Sequence, residues 1–309
     1  MPIITIFGGT GCQGSAVVNS VLADGNYTPR AVSRNPESAA GQELRAKGVE
    51  VVAGNLFDRE SLKDAMRGSD AVFGVTNFWD PEIYPADPKG SGEILQGQNL
   101  VDAANAVGVK FFIWSSLPNA TQESKGLFPN VYHLDNEAVI EEYLKASGIP
   151  TPFFSLVGSE RVCGAGTIEA DPKRLQHPGC HIYGEHDQAF TWVGHDLGAA
   201  AVALLTHHTD LSKGVLGRAY PVIKMGKEVT FATVETEGIE ELDVMYAYLS
   251  KFSFYPDTPV PNPDLVALGV KFGSLEEFVR SEIVPRFAYG RLSQRNEDMG
   301  YGPACVCTH

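Results

Sequence analysis

The sequence predicts an α/β protein, with a doubly wound parallel sheet followed by a smaller, irregular α+β lobe. Three observations carry this. Short apolar runs alternate with helix-length segments through the first half of the chain. Those runs are rich in Val, Ile and Phe, as strands covered by helices on both faces must be. From about Val157 the rhythm breaks: glycines and prolines thicken, and strand-like and helix-like pieces mix.

The first strand is Ile3–Phe7, and a glycine-rich turn leads from it into a helix running from Cys12 to about Ala23. Thr28–Val32 is the second strand. Pro36 suits the first turn of a helix ending near Lys47, because a first turn leaves unused the N–H that proline lacks. Val49–Ala53 is the third strand, Arg59–Met66 a short helix capped by Asp58, and Ala71–Val75 the fourth strand. A loop from Thr76 to Gly90 follows. Glu93–Val107 is then a helix, Lys110–Trp114 the fifth strand, Val131–Ser147 a helix stopped by Gly148 and Pro150, and Thr151–Leu156 the sixth strand. Right-handed crossovers between such strands give the doubly wound arrangement. In the second half Asp196–Thr206, Glu240–Ser250 and Leu275–Val284 read as helices and Val229–Val234 as a strand, while the run 255–263 holds too many prolines for regular structure. The predicted organisation is a sheet domain over 1–157 and a lobe over 158–309 that ends in a flexible tail.

Composition narrows the function. The chain has 309 residues with 24 Lys+Arg against 38 Asp+Glu, a net charge of −14. Such a surface repels phosphate backbones, and no cationic run counters it, so no direct nucleic-acid binding is expected. A hydrophobic share of 43% excludes disorder over the whole length. No apolar run approaches the ~20 residues of a membrane span. Met1-Pro2-Ile3-Ile4 runs straight into a strand, which reads as a chain without a leader, cytoplasmic or also nuclear. Five scattered cysteines do not make a secreted disulfide framework. At the end of the chain, Val306 stands where prenylation needs cysteine, and the Cys305, Cys307 and His309 cluster would need further ligands to hold a metal. It reads as a mobile tail.

The strongest chemical signal is Gly8-Gly9-Thr10-Gly11-Cys12-Gln13-Gly14, directly after the first strand. Glycine at positions 8, 11 and 14 lets backbone approach a pyrophosphate at the next helix's N-terminus, whose N–H groups and dipole attract it. Between a strand and a helix, this is the signature of a Rossmann-type dinucleotide site. The end of the second strand selects the dinucleotide. An acid there would bond the ribose 2′-hydroxyl of NAD, and this chain has Ser33-Arg34 instead. Arg34 is either a planar cation for a 2′-phosphate, with the Ser33 hydroxyl beside it, or an exposed loop arginine. The first reading favours NADP(H). Asn55, after the third strand, is placed to meet the adenine edge, to form a turn, or both.

The GGTGCQG loop, the VSRN segment at 32–35, GNLFD at 54–58, VTNFW at 75–79 and the Asp135–Tyr143 helix with Glu141-Glu142-Tyr143 together resemble one family. It is the NmrA-like branch of the atypical short-chain dehydrogenase/reductase superfamily. The likeness extends over most of the chain and is strongest before residue 160. It implies NADP(H) binding through Gly8, Thr10, Gly11, Cys12, Gln13 and Gly14, with Arg34 at the 2′-phosphate, Asn55 near adenine, and Thr76, Asn77 and Phe78 beside the ribose and nicotinamide. It also implies one of two activities. Some members look like dinucleotide sensors that bind transcription factors or other proteins; relatives reduce quinones, enones or carbonyl compounds.

Short-chain reductases supply a proton donor and an assisting cation with Tyr-x-x-x-Lys at the start of the helix corresponding to Val131–Ser147. Here Tyr132 is followed four residues later by Asn136, and His133 by Glu137, the position where relatives often keep lysine. Neither register yields the dyad. The remaining catalytic candidates are Tyr132, His133 and Ser115. His133 and Glu137 share a helix face, as an acid or proton shuttle or as an exposed pair. Adding Glu141 does not make a metal site, since three residues on one helix seldom complete one. Ser115 and Ser116 are substrate-orienting hydroxyls or a strand-end turn. The loop 78–85, rich in aromatics and prolines, is a pocket wall, a partner-docking surface or a packed loop. Cys12 is a small loop filler or a redox-sensitive thiol. His195-Asp196 looks like a nucleophile–base element, yet Asp196 more simply caps the following helix. No G-x-S-x-G accompanies it, so a hydrolase reading fails. The sequence therefore favours an NADP(H)-binding sensor with a regulatory protein partner, against an NADPH-dependent reductase of a small hydrophobic substrate.

Overall fold

The computed structural model describes residues 1–151, 153–155, 170–171, 174–175, 191–208, 217–218, 239–252, 259 and 261–283. Six strands, β1 (Ile3–Ile6), β2 (Thr28–Ser33), β3 (Glu50–Ala53), β4 (Ala71–Gly74), β5 (Phe111–Ser116) and β6 (Phe153–Ser155), alternate with helices. The helices are α1 (Cys12–Asp24), α2 (Ala39–Ala46), α3 (Arg59–Met66), α4 (Ser91–Val107), the short α5 (Ala120–Glu123) and α6 (Tyr132–Ser147). The strands form one parallel sheet in the order β3-β2-β1-β4-β5-β6, and the two-residue strand Gly217–Arg218 pairs with β6 beyond it. Strand order reverses between β1 and β4, which opens a crevice at their C-terminal ends.

Side chains alternate faces along each strand, so the sheet feeds two cores. Phe73, Phe111 and Ile113 pack with Val17 and Val21 of α1 and with Leu197 and Leu204. Val72, Phe112 and Trp114 face the other way, onto Leu62 and Met66 of α3, Leu100 of α4 and Ile140 and Leu144 of α6. Each such fully buried large side chain contributes roughly 1.5–3 kcal/mol. A third cluster joins Val131 and Leu134 to Tyr248 and Leu249, which fastens the helix Glu240–Leu249 against the start of α6.

Several local readings are corrected. The second helix begins at Ala39 rather than at Pro36, because Ser38 caps it, accepting from Gly41 N at 3.2 Å, and Asn35 first closes a turn on Glu37 N. Helix α5 was not foreseen; Asn119 starts it by accepting from Gln122 N at 2.8 Å. Asp196 does not cap the Gly198–His207 helix. It sits inside a π-helical turn, Val193–Leu197, where its Oδ1 accepts from Gly273 N at 2.8 Å and lies 2.7 Å from His195 Nδ1. Burial raises this carboxyl above the ordinary range. The expected helix Leu275–Val284 is a single α-turn, Leu275–Phe278, continued by a π-turn, Val279–Ile283. The expected strand Val229–Val234, most of the run 255–263 and the terminal cysteine cluster lie outside the described residues. Among the described residues no helix is long and apolar enough to cross a membrane.

Candidate functional site

The glycine loop is built from its own backbone constraints. Gly8 adopts φ +61°, and the turn closes through Gly11 N to Gly8 O at 2.8 Å. Gly14 lies so close beneath it that a Cβ there would stand 2.2 Å from Gly8 O. Gly11, at the N-cap of α1, brings no side-chain acceptor to the helix end. Gly9 N donates to Val32 O at 3.2 Å, and Thr10 and Ser33 hydroxyls meet at 3.4 Å, which ties the loop to the end of β2.

A cleft of about 290 Å³ opens over this loop. It is lined by Gly8, Thr10 and Gly11, by Ser33 and Arg34, by Asn55, and by Thr76, Asn77 and Asp80 after β4, with Gln96 of α4 on its inner side. Cys12, Gln13, Gly14 and Phe78 are not among its lining residues. The residues fit the phosphate and adenosine part of a dinucleotide on three counts. Backbone replaces side chain at the helix N-terminus, a guanidinium stands at the β2 end, and the cavity is concave and largely pre-formed. Asn55 lines the cleft, and its Oδ1 closes a turn on Phe57 N at 3.0 Å. Asp58 caps α3 through Glu60 N and Ser61 N.

Arg34 has a partner the sequence did not suggest. Its Nη1 lies 2.7 Å from Asp80 Oδ2, with the arginine side chain 59% exposed and the aspartate 6%. The other carboxylate oxygen of Asp80 accepts from Glu82 N at 3.0 Å, which anchors it in the loop after β4.

Thr76 and Asn77 are braced by α4. The Thr76 hydroxyl donates to Glu93 Oε1 at 3.0 Å, and Asn77 N donates to Gln96 Oε1 at 3.1 Å. Sequence reasoning missed Glu93 and Gln96. The available signal was two polar residues one turn apart on the helix face that also carries Leu100. Glu93 and Glu137 are both buried, and the Oε2 atom of each has no hydrogen-bond partner. Burial pushes Glu93 up to about 8. Burial, then the charges of Glu93 and Glu141, hold Glu137 well above the usual carboxylate range. Glu93 therefore stays largely protonated at neutral pH.

On α6 the candidate catalytic groups turn to different partners. His133 Nδ1 lies 2.6 Å from Glu241 Oε1, which also accepts from His133 N at 3.0 Å. Its carboxylate neighbour is therefore Glu241 and not Glu137. Glu137 is no exposed helix residue either, because α6 turns that face toward α4 and β5, where Trp114 Nε1 donates to Glu137 O. Glu141 accepts from the Ser116 hydroxyl and pairs with Lys145 at 2.6 Å. The Tyr132 hydroxyl donates to Asn130 at 3.2 Å, and the Ser115 hydroxyl, buried, donates to Gln13 Oε1 at 2.8 Å. In the loop after β4, Phe78 and Ile83 are buried, and Trp79 and Tyr84 stack edge-on at 5.0 Å. Phe78 and Trp79 also lie 5.8 and 6.0 Å from the His133 ring. It is a packed loop that turns these aromatics inward.

A parallel sheet with this strand order and an open cleft over a glycine turn defines a Rossmann-type protein. The NmrA-like family matches residues 2–163, more than half of the chain, and the chain belongs to that family. It is 36% identical over 147 residues to an NmrA-like family domain-containing oxidoreductase of Penicillium ochrochloron, a match covering 47% of this chain and 43% of the relative. The chain thus spans less than half the length of that relative. Among solved structures, the negative transcriptional regulator NmrA in complex with NADP superposes with a TM-score of 0.73 at 16% identity, over 94% of this chain and 98% of that one. Triphenylmethane reductase of Citrobacter sp., complexed with NADP(H), superposes with a TM-score of 0.66 at 21% identity, over 91% and 99%. At these identities the likeness shows the fold.

Proposed function

We propose that the chain binds NADP(H) in this cleft and serves as a dinucleotide sensor of redox state, with a regulatory protein as its partner. One observation carries the sensor reading. Among the described residues, the three candidates for assisting hydride transfer each have a partner within the protein: Ser115 with Gln13, Tyr132 with Asn130 and His133 with Glu241. Buried Glu137 stands where the resemblance would put an assisting lysine. Arg34 at the β2 end supports the 2′-phosphorylated cofactor, as does the NADP(H) complex of the triphenylmethane reductase, while NmrA is solved with NADP and with NAD. When bound, the dinucleotide would supply hydride chemistry or a redox-dependent charge. The chain's own part is to seat the pyrophosphate on the Gly8–Gly14 turn and to meet the adenosine end with Arg34 and Asn55.

The test titrates the protein with NADPH and NADH, then follows NADPH oxidation with a panel of quinones, enones and aldehydes. Saturable binding without turnover supports the sensor, and pull-down of a partner in the presence and absence of cofactor follows. No binding of either dinucleotide overturns the reading.

A reductase is the second reading, favoured by the His133–Glu241 pair. An imidazole oriented by a carboxylate beside two aromatic rings is the arrangement of an acid–base unit, and the Penicillium relative bears the name oxidoreductase. Saturable NADPH oxidation that His133→Gln abolishes would establish it.

A further inference from the structure

Resting on the cofactor reading above, we infer that Asp80 is a specificity-determining residue that competes with the cofactor's 2′-phosphate for Arg34 and so narrows the preference for NADP(H) over NAD(H). NAD-binding folds of this type usually carry an acid at the end of the second strand, where it accepts from the ribose 2′-hydroxyl. This chain has Ser33-Arg34 there, which leaves the position without an acid. The fold returns one from elsewhere. Asp80, in the loop after β4, reaches across the mouth of the cleft and places Oδ2 at 2.7 Å from Arg34 Nη1.

Three features make this more than a surface ion pair. Both residues line the same cleft, together with Ser33 and Asn35. Asp80 is almost fully buried while Arg34 is more than half exposed, so the acid is the fixed partner and the arginine the adaptable one. The other oxygen of Asp80 is held by Glu82 N, and the Asp80 backbone carbonyl accepts from Ile83 N and Tyr84 N, which fixes the carboxylate at this point. A 2′-phosphate arriving at Arg34 brings close to two negative charges to a site whose low-dielectric wall already holds one. It must share or displace the pair. A 2′-hydroxyl meets no such repulsion and can donate to the carboxylate. The pair therefore serves both dinucleotides, and the carboxylate offsets part of what the guanidinium offers the phosphate.

The experiment measures Kd for NADPH and NADH on the wild type and on Asp80→Asn, with thermal melting on both. Asparagine keeps an acceptor for Glu82 N, removes the charge and turns an amide NH2 toward Arg34 in place of Oδ2, which frees the guanidinium. The expected result is a rise of about tenfold in the ratio of NADH to NADPH dissociation constants, the scale of one partly screened charge contact. In the double variant Arg34→Gln/Asp80→Asn that gain in NADPH affinity should shrink, because no freed guanidinium remains to be won. A ratio that stays put or falls, in a variant that melts like the wild type, overturns the role of Asp80 while leaving cofactor binding intact. A variant that melts lower, with both affinities weakened alike, assigns Asp80 to holding the loop and also overturns it. Wild-type protein that binds neither dinucleotide removes the cofactor reading itself.

Discussion

The crevice at the C-terminal ends of the strands has two halves of opposite character. Around β1, β2 and β3 it is open, lined by backbone, small hydroxyls, the Asn35 and Asn55 amides and the paired Arg34 and Asp80. Around β5 and the start of α6, among the described residues, the candidate reactive groups already have partners within the protein. Ser115 is turned onto Gln13, His133 onto Glu241, and two buried carboxyls, Glu93 and Glu137, pack behind Thr76. A site selected for hydride transfer would need the second half to present a donor to substrate at least as well as the first half presents itself to phosphate. Among the described residues the recognition groups line an open cleft, while Ser115 and His133 turn to partners within the protein. On the proposed sensor reading, this contrast would let the protein register which dinucleotide state is present without consuming it.

The most damaging change to the open half is Gly14→Ala. The added methyl would stand 2.2 Å from the Gly8 carbonyl oxygen, against backbone that cannot yield cheaply. We expect a loss of about 2 kcal/mol or more in stability and a weakening on the order of 100-fold for NADPH and NADH alike, since the loop would shift by the better part of an ångström. Calorimetric titration with thermal melting checks both. If the variant bound normally, the pyrophosphate would have to sit elsewhere, and the contrast between the halves would collapse.

Arg34→Ala separates the two dinucleotides. Loss of charge-assisted hydrogen bonds should weaken NADPH by about 30-fold and leave NADH within about threefold. Equal losses on both would mean that Arg34 acts through the loop that holds Asp80 rather than on the 2′-phosphate.

The open half was largely legible in the sequence because its determinants are local. A glycine spacing between a strand and a helix, and the residue type at the end of β2, follow from backbone sterics and charge over a few neighbouring positions. The same locality made the first five strands readable, while the Gly217–Arg218 strand, two residues long and far along the chain, offered no periodic signal. The closed half was not legible, because its partners are set by tertiary contact. Nothing near residue 133 points to Glu241, which is 108 residues away, and nothing near Arg34 points to Asp80, 46 residues on. Helical spacing read His133 and Glu137 as one shared face, yet packing turned His133 onto Glu241 and the aromatic loop and buried Glu137 toward α4 and β5. Propensity sees turns and caps such as Asp58; it does not see which buried acid meets which.

The closed half should announce itself in the pH dependence of stability. Glu93 titrates near 8 when folded, against an ordinary carboxyl value when unfolded. A folded-state value raised above the unfolded one contributes stability that is complete below the unfolded pKa and is lost as pH rises through the folded one. Wild-type stability should thus fall between about pH 4.5 and 8 and flatten above that window. Glu137 is shifted in the same direction and adds to the slope. Glu93→Gln keeps an acceptor for Thr76 and cannot ionise. Its advantage over wild type should grow with pH, to about 4 kcal/mol near pH 8.5 at about 1.36 kcal/mol per pKa unit, and should be small at pH 5. Chemical denaturation at both pH values decides the matter, and an advantage independent of pH would show that Glu93 is not the protonated group.

Ser115→Ala is the smallest change and the sharpest test of what the serine does. Its hydroxyl is 2% exposed as a residue and donates to Gln13 Oε1 at 2.8 Å, which links β5 to the first turn of α1. Removing it leaves the Gln13 carbonyl oxygen without that donor, a cost of about 1 kcal/mol. On the sensor reading NADPH affinity stays within about twofold, because the contact lies behind the cleft rather than in it. A substrate-orienting hydroxyl would behave in the opposite way, with stability nearly unchanged and any NADPH oxidation by an acceptor falling in kcat. The two outcomes move different observables, so melting and turnover measured on one sample distinguish a strut between β5 and α1 from a group of the reaction itself.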